Sequence, residues 1–355
     1  MTAYNLFGSR AVAPASGFKW ERFESKTGPD WFLLPEGSEG QTAKSYRPLD
    51  DPALFLNFAD LDYRDRDEVL RFANRYGMLG VDEEGRPRPL PDVTAEHSGS
   101  GKSDAATLGA WFPETYRGWA AAIFQMRVAV TVWKCLKVKD VGGLSAYLKY
   151  MVDPDAGGVP AEFRGRFAGW SFDTARGRSQ NDARFPDRIR FHISPIHMPQ
   201  LVQHADRLHD RDIFYPAHVA LWKLANPMVE KCVSPRFVYV ERENRLAMMV
   251  IPVRLIGALW LQFMQAVDGN TECKQCRECK VWYSISPEGG GRTKRREFCG
   301  NVCKNRDYRR RRDRALELAA SLKTPAKIAA QLKEEGLETD VDTVAKWLKT
   351  AKQKG

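Results

Sequence analysis

The spacing of apolar residues along the chain predicts helices and strands over the first 268 residues. Between Asp67 and Tyr76 the apolar positions fall three and four residues apart, which indicates an amphipathic helix. Similar runs predict further helices at about 104–138, 143–151, 216–232 and 252–268. One or two short strands are expected within residues 1–48.

Two runs of strand-forming residues predict a hairpin in the same region. Phe237–Val240 and Leu246–Ile251 are rich in branched and aromatic residues, and they flank a short polar segment. The sequence therefore predicts an α+β, mostly helical domain over residues 1–268. We expect this domain to act as a sensor or oligomerisation unit, so oligomers are compatible with the sequence.

The apolar runs are too short to predict a membrane span. The two most apolar runs are interrupted by polar residues, Gln125 and Arg127 in one and Arg254 and Gln262 in the other. The first residues lack the charged and apolar regions of a signal peptide. A cytoplasmic location without a membrane partner is therefore expected.

The positive charge of the chain is concentrated in one short segment. The whole chain carries a formal net charge of +10. Residues 270–312 contain 13 Lys and Arg against 5 Asp and Glu, a net charge of +8. Residues 1–269 and residues 313–355 each carry only +1. Because a basic patch of this size attracts polyanions, the segment is expected to bind nucleic acid.

Five of the seven cysteines lie in the same segment, between Cys273 and Cys303. A CxxC pair followed by a CxxxC pair supplies four thiolates from two short turns, as a tetrahedral zinc site requires. The zinc ligands that we favour are Cys276, Cys279, Cys299 and Cys303. The spacing also allows Cys273 and Cys276 to form the first pair, which would leave Cys279 spare.

A zinc ion held by four thiolates would have a structural role. Such a site has no open position for water or substrate, so it supports a fold rather than a reaction. Disulfides are the alternative for clustered cysteines, but a reducing cytosol favours metal ligation. Tyr283 lies four residues after Cys279, where an aromatic ring would close the site.

The order of segments around these cysteines resembles a treble-clef zinc finger. After the CxxC pair come the strand-like Val281–Ile285, a glycine-rich turn at 286–291 and a returning segment at 292–298. The second cysteine pair then opens a helix that is expected to run toward Leu322. This order predicts a small zinc finger over residues 270–312.

The segment is also similar to bacterial zinc fingers of the CGNR type. The likeness is carried by the CxxC pair, by Arg292 and the run Arg295-Arg296-Glu297-Phe298-Cys299, and by the run Cys303-Lys304-Asn305-Arg306. This resemblance implies DNA binding, which is a common role of such fingers. Residues 1–268 are similar to the front part of uncharacterised bacterial proteins with such tails, which implies no activity.

Basic residues recur through the predicted helix that contains the second cysteine pair. Those that can share much of one helix face are Lys304, Arg306, Arg309 and Arg310. Such a face can follow phosphates while arginine side chains reach base edges. The residues that we expect to contact nucleic acid are Arg292, Arg295, Arg296, Lys304, Arg306, Arg309, Arg310, Arg312, Thr343 and Lys346. A solvated helix is the alternative.

Residues 313–355 predict a helix-turn-helix-like tail. One helix is expected to begin at Thr324-Pro325 and to end at Gly336, because threonine caps helices, proline opens them and glycine ends them. A second helix starts near Asp340 and includes Leu348. The expected core of the tail is Ile328, Leu332, Leu337, Val341, Val344, Trp347 and Leu348. A plain helical hairpin for packing or dimerisation is the alternative.

Two other stretches raise different chemistry. Five of the six histidines fall between His192 and His218. A catalytic or second metal site there would require His192, His197, His204 and Asp206 to converge. Their spacings match no ligand or catalytic motif, so ordinary histidines are favoured. Residues 153–187 alternate arginine with aromatic residues, which suits either a single-stranded nucleic-acid surface or an anchored loop.

The sequence as a whole predicts a cytoplasmic, bacterial-type DNA-binding protein with structural Zn²⁺ as its cofactor. Transcription regulation is the expected use, and no enzymatic activity is expected. The first alternative is a zinc-finger protein that binds RNA or an acidic protein. The second alternative is an enzyme with a His/Asp site within residues 160–220.

Overall fold

The structure is a computed structural model of the chain. It describes residues 11–14, 16–25, 28–36, 43–88, 113–152, 168–174, 188–193, 212–240, 244–269, 272–285 and 296–352. The chain divides into two compact units, Met1–Thr271 and Glu272–Gly355. They are called unit 1 and unit 2 below.

Unit 1 mixes helices with small sheets. Its described helices are α1 (Leu54–Asp60), α2 (Arg66–Tyr76), α3 (Tyr116–Val138), α4 (Val141–Ser145), α5 (Phe214–Glu230) and α6 (Leu255–Asp268). Its described strands are β1 (Ala11–Pro14), β2 (Phe18–Ser25), β3 (Gly28–Pro35), β4 (Ala43–Tyr46), β5 (Glu114–Thr115), β6 (Leu148–Val152), β7 (Ala168–Asp173), β8 (Arg190–Ile193), β9 (Val233–Val240) and β10 (Arg245–Pro252). This mixture is compatible with the predicted α+β class.

The strand pairs that the structure describes in unit 1 are all antiparallel. β1 pairs with β4, β3 lies between β2 and β5, and β7 lies between β6 and β8. β9 and β10 form a separate two-stranded hairpin in which Phe237 lies opposite Met248. The predicted hairpin is thus confirmed, with longer strands than the sequence indicated.

The core of unit 1 is built on α3 and the helices that contact it. α3 is apolar on nearly all sides, and most of its residues are buried. A helix of this kind needs partners around it, and α1, α5 and α6 pack against it. The ring of Phe55 in α1 lies 6.2 Å from that of Trp133 and 5.9 Å from that of Phe263, measured between centroids.

A buried carboxylate ties the loop after α2 to this core. Glu114 is only 2% exposed, and it accepts hydrogen bonds from the indole of Trp119 (2.8 Å) and from three backbone N–H groups. These three belong to Leu79, Gly80 and Val81. Burial raises the pKa of the Glu114 carboxyl group, and the backbone donors oppose that rise.

Two sequence expectations for unit 1 are corrected. The helix predicted at 143–151 is wrong, because α4 ends at Ser145 and the chain then forms β6. Pairing with β7 stabilises that strand, and it places the rings of Tyr150 and Trp170 at 5.4 Å. Four strands, rather than one or two, lie before residue 48. The first part of the helix predicted at 104–138 falls outside the described residues.

Unit 2 starts with a short ribbon and continues with helices. Its described elements are β11 (Cys273–Gln275), β12 (Trp282–Ser284), α7 (Asn301–Leu318), α8 (Pro325–Glu334) and α9 (Val341–Lys352). α7 runs across the expected division between residues 312 and 313, so one helix belongs to both predicted segments. Across the described parts of both units, we find no helix with the length and apolarity that crossing a bilayer requires.

Candidate metal centre and basic helix

A tight turn between β11 and β12 presents the first cysteine pair. The N–H of Cys276 donates to the Val281 carbonyl, and the N–H of Lys280 donates to the Cys276 carbonyl, both at 2.9 Å. Lys280 has a φ of 60°, a left-handed conformation that lets the chain reverse over a few residues. The turn therefore holds Cys276 and Cys279 close together.

The second cysteine pair lies at the start of α7. Cys299 precedes the first helical residue by two positions, and Cys303 lies in the first turn of the helix. Arg277 lies in the turn between β11 and β12, next to Cys276. Its N–H donates to the carbonyl of Glu297 at 2.9 Å. This hydrogen bond joins the two cysteine-bearing segments.

The four thiols of the favoured set form one cluster. Their Sγ atoms, from Cys276, Cys279, Cys299 and Cys303, all lie within 4.8 Å of one another. The Cys299 sulfur is 3.7 Å from that of Cys279 and 3.5 Å from that of Cys303. Zinc–sulfur bonds of about 2.3 Å in a tetrahedron place sulfur atoms roughly 3.8 Å apart. The cluster could therefore hold a metal ion such as zinc.

Cys273 is not a member of this cluster. It lies in β11 opposite Ser284 of β12, before the turn begins. The register of the ribbon therefore brings Cys279, not Cys273, to the other three thiols. β12 pairs with β11. Most of the segment 292–298, which was expected to return after the glycine-rich turn, lies outside the described residues.

The thiols of the cluster differ in acidity. Burial by itself would raise the pKa of Cys276, but hydrogen bonds from three backbone N–H groups lower it to about 6. These groups belong to Glu278, Cys279 and Cys299. Burial raises the pKa of Cys299, and hydrogen bonds with neighbouring thiols add to that rise. The low pKa of Cys276 favours its thiolate form near neutral pH. A bound cation would favour deprotonation of the other three thiols.

Apolar side chains and one arginine surround the cluster. Tyr283 and Ile285 are buried beside the cysteines, and Phe298 packs against them. The guanidinium of Arg296 lies 5.3 Å from the ring centroid of Tyr283 and donates to the carbonyls of Phe298 (2.7 Å) and Cys299. Tyr283 thus lies where the sequence placed an aromatic ring. The guanidinium of Arg296, a residue expected to contact nucleic acid, makes these contacts within unit 2.

Several exposed basic residues lie on the first half of α7. Lys304, Arg306 and Arg309 are exposed, and none of them has an acidic partner among the described residues. Arg312 is also exposed, and its guanidinium lies 2.9 Å from the carboxylate of Asp313. An exposed pair of this kind is weak and leaves most of the charge accessible to a ligand.

Arg310, which is exposed like its basic neighbours in α7, differs from them because it contacts two largely buried carboxylates. Its Nη2 atom lies 2.9 Å from the largely buried carboxylate of Glu278 and 3.0 Å from that of Asp307. Asp307 is fully buried and also lies 2.8 Å from Nε of Arg311. Residues three and four apart on a helix are neighbours, so the positions of Arg310 and Arg311 after Asp307 could have predicted these ion pairs from the sequence. Arg310 and Arg311 therefore neutralise a buried acid.

The three helices of unit 2 pack around one small apolar core. Its buried residues are Ala315, Ile328, Ala329, Leu332, Val344 and Trp347, with Leu337 and Leu348 packed against them. Val341, which was expected in this core, is 45% exposed because it opens α9. The indole N–H of Trp347 donates to the hydroxyl of Tyr308 in α7 (2.7 Å). The tail is therefore joined to the helix that carries Cys303.

Two arginines contact the turn between α8 and α9. Arg277, beside the first cysteine pair, donates to the carbonyl of Gly336 at 3.5 Å. Arg311 in α7 donates to the carbonyl of Glu338 at 3.4 Å. These bonds are long, but both link the predicted finger to the predicted tail. Unit 2 is thus one packed body rather than two separate modules.

The last helix begins at an aspartate cap. Asp340 accepts hydrogen bonds from the N–H (2.7 Å) and the hydroxyl (2.8 Å) of Thr343. These bonds, the backbone N–H foremost, lower the pKa of Asp340. Thr343, expected to contact nucleic acid, therefore uses its hydroxyl within its own helix cap. Lys346 and Lys349 are exposed on the same helix.

Several expected residues lie outside the part of the chain that the structure describes. Among the basic residues these are Arg292 and Arg295, and in the histidine stretch they are His197, His204, Asp206 and His209. His192, in β8, is exposed. Most of 153–187 is likewise not described, but Trp170 and Phe172 in β7 are buried. These two rings are therefore unavailable for stacking on bases.

Comparison with known proteins gives this chain no family. We found no match to it among models of protein families, curated proteins or solved structures. Its function must therefore be inferred from the thiol cluster and from the charged surface of unit 2. The four thiols could hold a metal ion, and the helix that carries Cys303 exposes basic side chains.

Proposed function

We propose that unit 2 binds duplex DNA through a surface that a structural zinc ion holds in shape. The proposed ligands are the thiolates of Cys276, Cys279, Cys299 and Cys303. The observation that carries the proposal is that two of these thiols lie at the start of α7. The same helix exposes Lys304, Arg306 and Arg309, so ion binding and anion binding would depend on one element.

The proposed role of the ion is structural. Four thiolates complete a tetrahedral shell, so no coordination position remains for water or substrate. The ion would hold the first turn of α7 against the turn that follows β11. The proposal includes no catalytic step.

The helical part of unit 2 favours a duplex over a single strand. α8 and α9 follow α7 in the order of a helix-turn-helix unit, whose second helix enters the major groove. α9 exposes Lys346 and Lys349, which would contact phosphates. Single-strand surfaces need exposed rings for stacking. Among the described residues of unit 2, the ring of Tyr308 is half exposed, but Trp347 already packs against it.

We further propose that the protein is a cytoplasmic transcription regulator. A DNA-binding unit joined to a larger second unit is an arrangement suited to regulation, in which unit 1 would sense a signal or set the oligomeric state. The exposed cations would bind DNA of any sequence, while contacts of α9 with base edges would add selectivity.

The binding of the full-length, zinc-loaded protein can be measured with duplex DNA, single-stranded DNA and RNA at several salt concentrations. We expect the tightest binding to the duplex, with affinity falling steeply as salt rises. Replacing Arg306 and Arg309 together by Ala should reduce the slope of log K against log salt by about 2, because each lost phosphate contact removes about one unit.

A matched control removes the same charge from unit 1. Arg22→Ala with Lys149→Ala changes two exposed strand residues and should leave both the duplex affinity and its salt slope unchanged. Tighter binding to RNA than to the duplex would favour the RNA-binding alternative. Failure to bind any nucleic acid at low salt would contradict the proposal.

A further inference from the structure

The hairpin of β9 and β10 exposes one apolar face. Side chains of alternate residues lie on the same side of a strand, so three cross-strand pairs share this face. These pairs are Pro235–Val250, Phe237–Met248 and Tyr239–Leu246. The exposed fractions are 76% for Phe237, 65% for Leu246, 57% for Met248, 56% for Tyr239 and 36% for Val250. These six residues are called the hairpin face below.

The remainder of the hairpin is anchored to unit 1. Cys232 and Pro252 are buried at its base, where the N–H of Val253 donates to the Cys232 carbonyl at 2.9 Å. Ala247, whose side chain lies on the side opposite to the hairpin face, is buried. β9 contacts α5 and α6, and β10 contacts α6. A two-stranded hairpin is marginally stable unless something covers it. Here α5 and α6 pack against the hairpin, and the hairpin face remains exposed to solvent.

We propose that the hairpin face is a dimerisation surface that packs on the same face of a second copy of this chain. The face carries no charged side chain, so it offers nothing to a partner recognised by charge. Its one polar side-chain atom, the hydroxyl of Tyr239, is already bound to the side chain of Asn244. Interfaces between identical subunits are the more apolar class, which matches this composition.

The size of the face suits two copies. A fully exposed large side chain offers about 150–200 Å², so the hairpin face would bury roughly 500 Å² in each copy. Two copies would then bury about 1,000 Å², which reaches the lower bound for a specific interface. Residues around the hairpin would add to this area.

The pattern of residues also fits twofold symmetry. β9 supplies the aromatic side of the face and β10 supplies the aliphatic side. A twofold axis parallel to the strands sets the β9 side of each copy on the β10 side of the other, which is the self-complementary contact that such symmetry needs. Phe237 would then approach a methionine, and sulfur–aromatic contacts are favourable.

The oligomeric state of the full-length protein tests this inference, and it does not depend on DNA binding. We expect light scattering after gel filtration to give the mass of a dimer for the unchanged chain. Phe237→Lys with Met248→Lys should halve that mass, because the added charges would face each other across the interface. Circular dichroism and thermal melting would establish that the variant is folded.

The matched control places the same two charges on exposed apolar residues elsewhere in unit 1. Val138→Lys with Val141→Lys should leave the dimer intact. If the first variant does not fold, Phe237→Ser with Met248→Ser removes the apolar contacts without added charge and should also give a monomer. A monomeric unchanged chain at all concentrations, or a dimer that survives in the folded hairpin variants, would overturn the inference.

Discussion

At the residue scale, two adjacent arginines of α7 have different surroundings. Both are exposed, but Arg309 has no acidic partner among the described residues, whereas Arg310 also contacts Glu278 and the buried Asp307. The difference arises because Arg310 lies about one helical turn after Asp307, on the same side of α7. Arg309 lies only two residues after Asp307 and does not face it. Counting basic residues therefore overstates the charge that α7 offers to a ligand. The charge of Arg309 is therefore unpaired among the described residues, while the exposed Arg310 also stabilises the buried Asp307.

Asp307→Asn tests this division of roles. The substitution keeps the shape of the side chain but removes the buried charge that Arg310 and Arg311 neutralise. We expect it to lower the free energy of unfolding of unit 2 by about 1–3 kcal/mol, the usual range for a lost charged hydrogen bond. Hydrogen exchange of the amides in α7 and α8 of the full chain would measure the change.

The control for this prediction is Asp313→Asn, in the same helix. Asp313 pairs with Arg312 at an exposed position, so its replacement should change the free energy by less than about 0.5 kcal/mol. Equal effects of the two substitutions would show that Asp307 has no special structural role.

At the element scale, α7 connects the thiol cluster to the helical tail. Cys303 lies in its first turn, its exposed cations follow, and Ala315 near its end is buried with the side chains of α8 and α9. The order of elements was readable from capping residues, since Thr324, Gly336 and Asp340 mark helix ends. The choice between Cys273 and Cys279 was not readable, because the strand register decides it.

Replacing single cysteines tests the ligand set. Cys303→Ser should abolish the binding of one metal ion per chain and increase hydrogen exchange in the first turns of α7, because a coordinating thiolate is lost. Cys273→Ser should retain the ion and the protection of α7, since Cys273 lies outside the cluster. Elemental analysis and hydrogen exchange would give both readouts. Loss of the ion in both variants, or in neither, would contradict the assignment.

At the scale of the whole molecule, charge and apolar surface are separated along the sequence. Residues 270–312 carry a net charge of +8, and unit 1 is close to neutral and contributes the hairpin face. The mixed fold, the hairpin strands and the presence of a thiol cluster in this segment could be predicted from local patterns. The inward use of Arg296 and the exposure of Phe237 could not, because both depend on contacts between distant residues. A dimer would also carry two copies of the proposed DNA-binding unit, which would strengthen binding to paired sites.

The proposed coupling between metal binding and DNA binding is tested most directly by measuring duplex affinity on one preparation of the full-length protein in three states. These are the zinc-loaded protein, the same protein after a chelator has removed the metal, and the protein after zinc is restored. We predict that chelation weakens duplex binding at least tenfold, because the first turn of α7 loses the metal ion that holds it in place. Restoring zinc should return the original affinity. Equal affinity in all three states would contradict the claim that a thiolate-bound ion organises the DNA-binding surface.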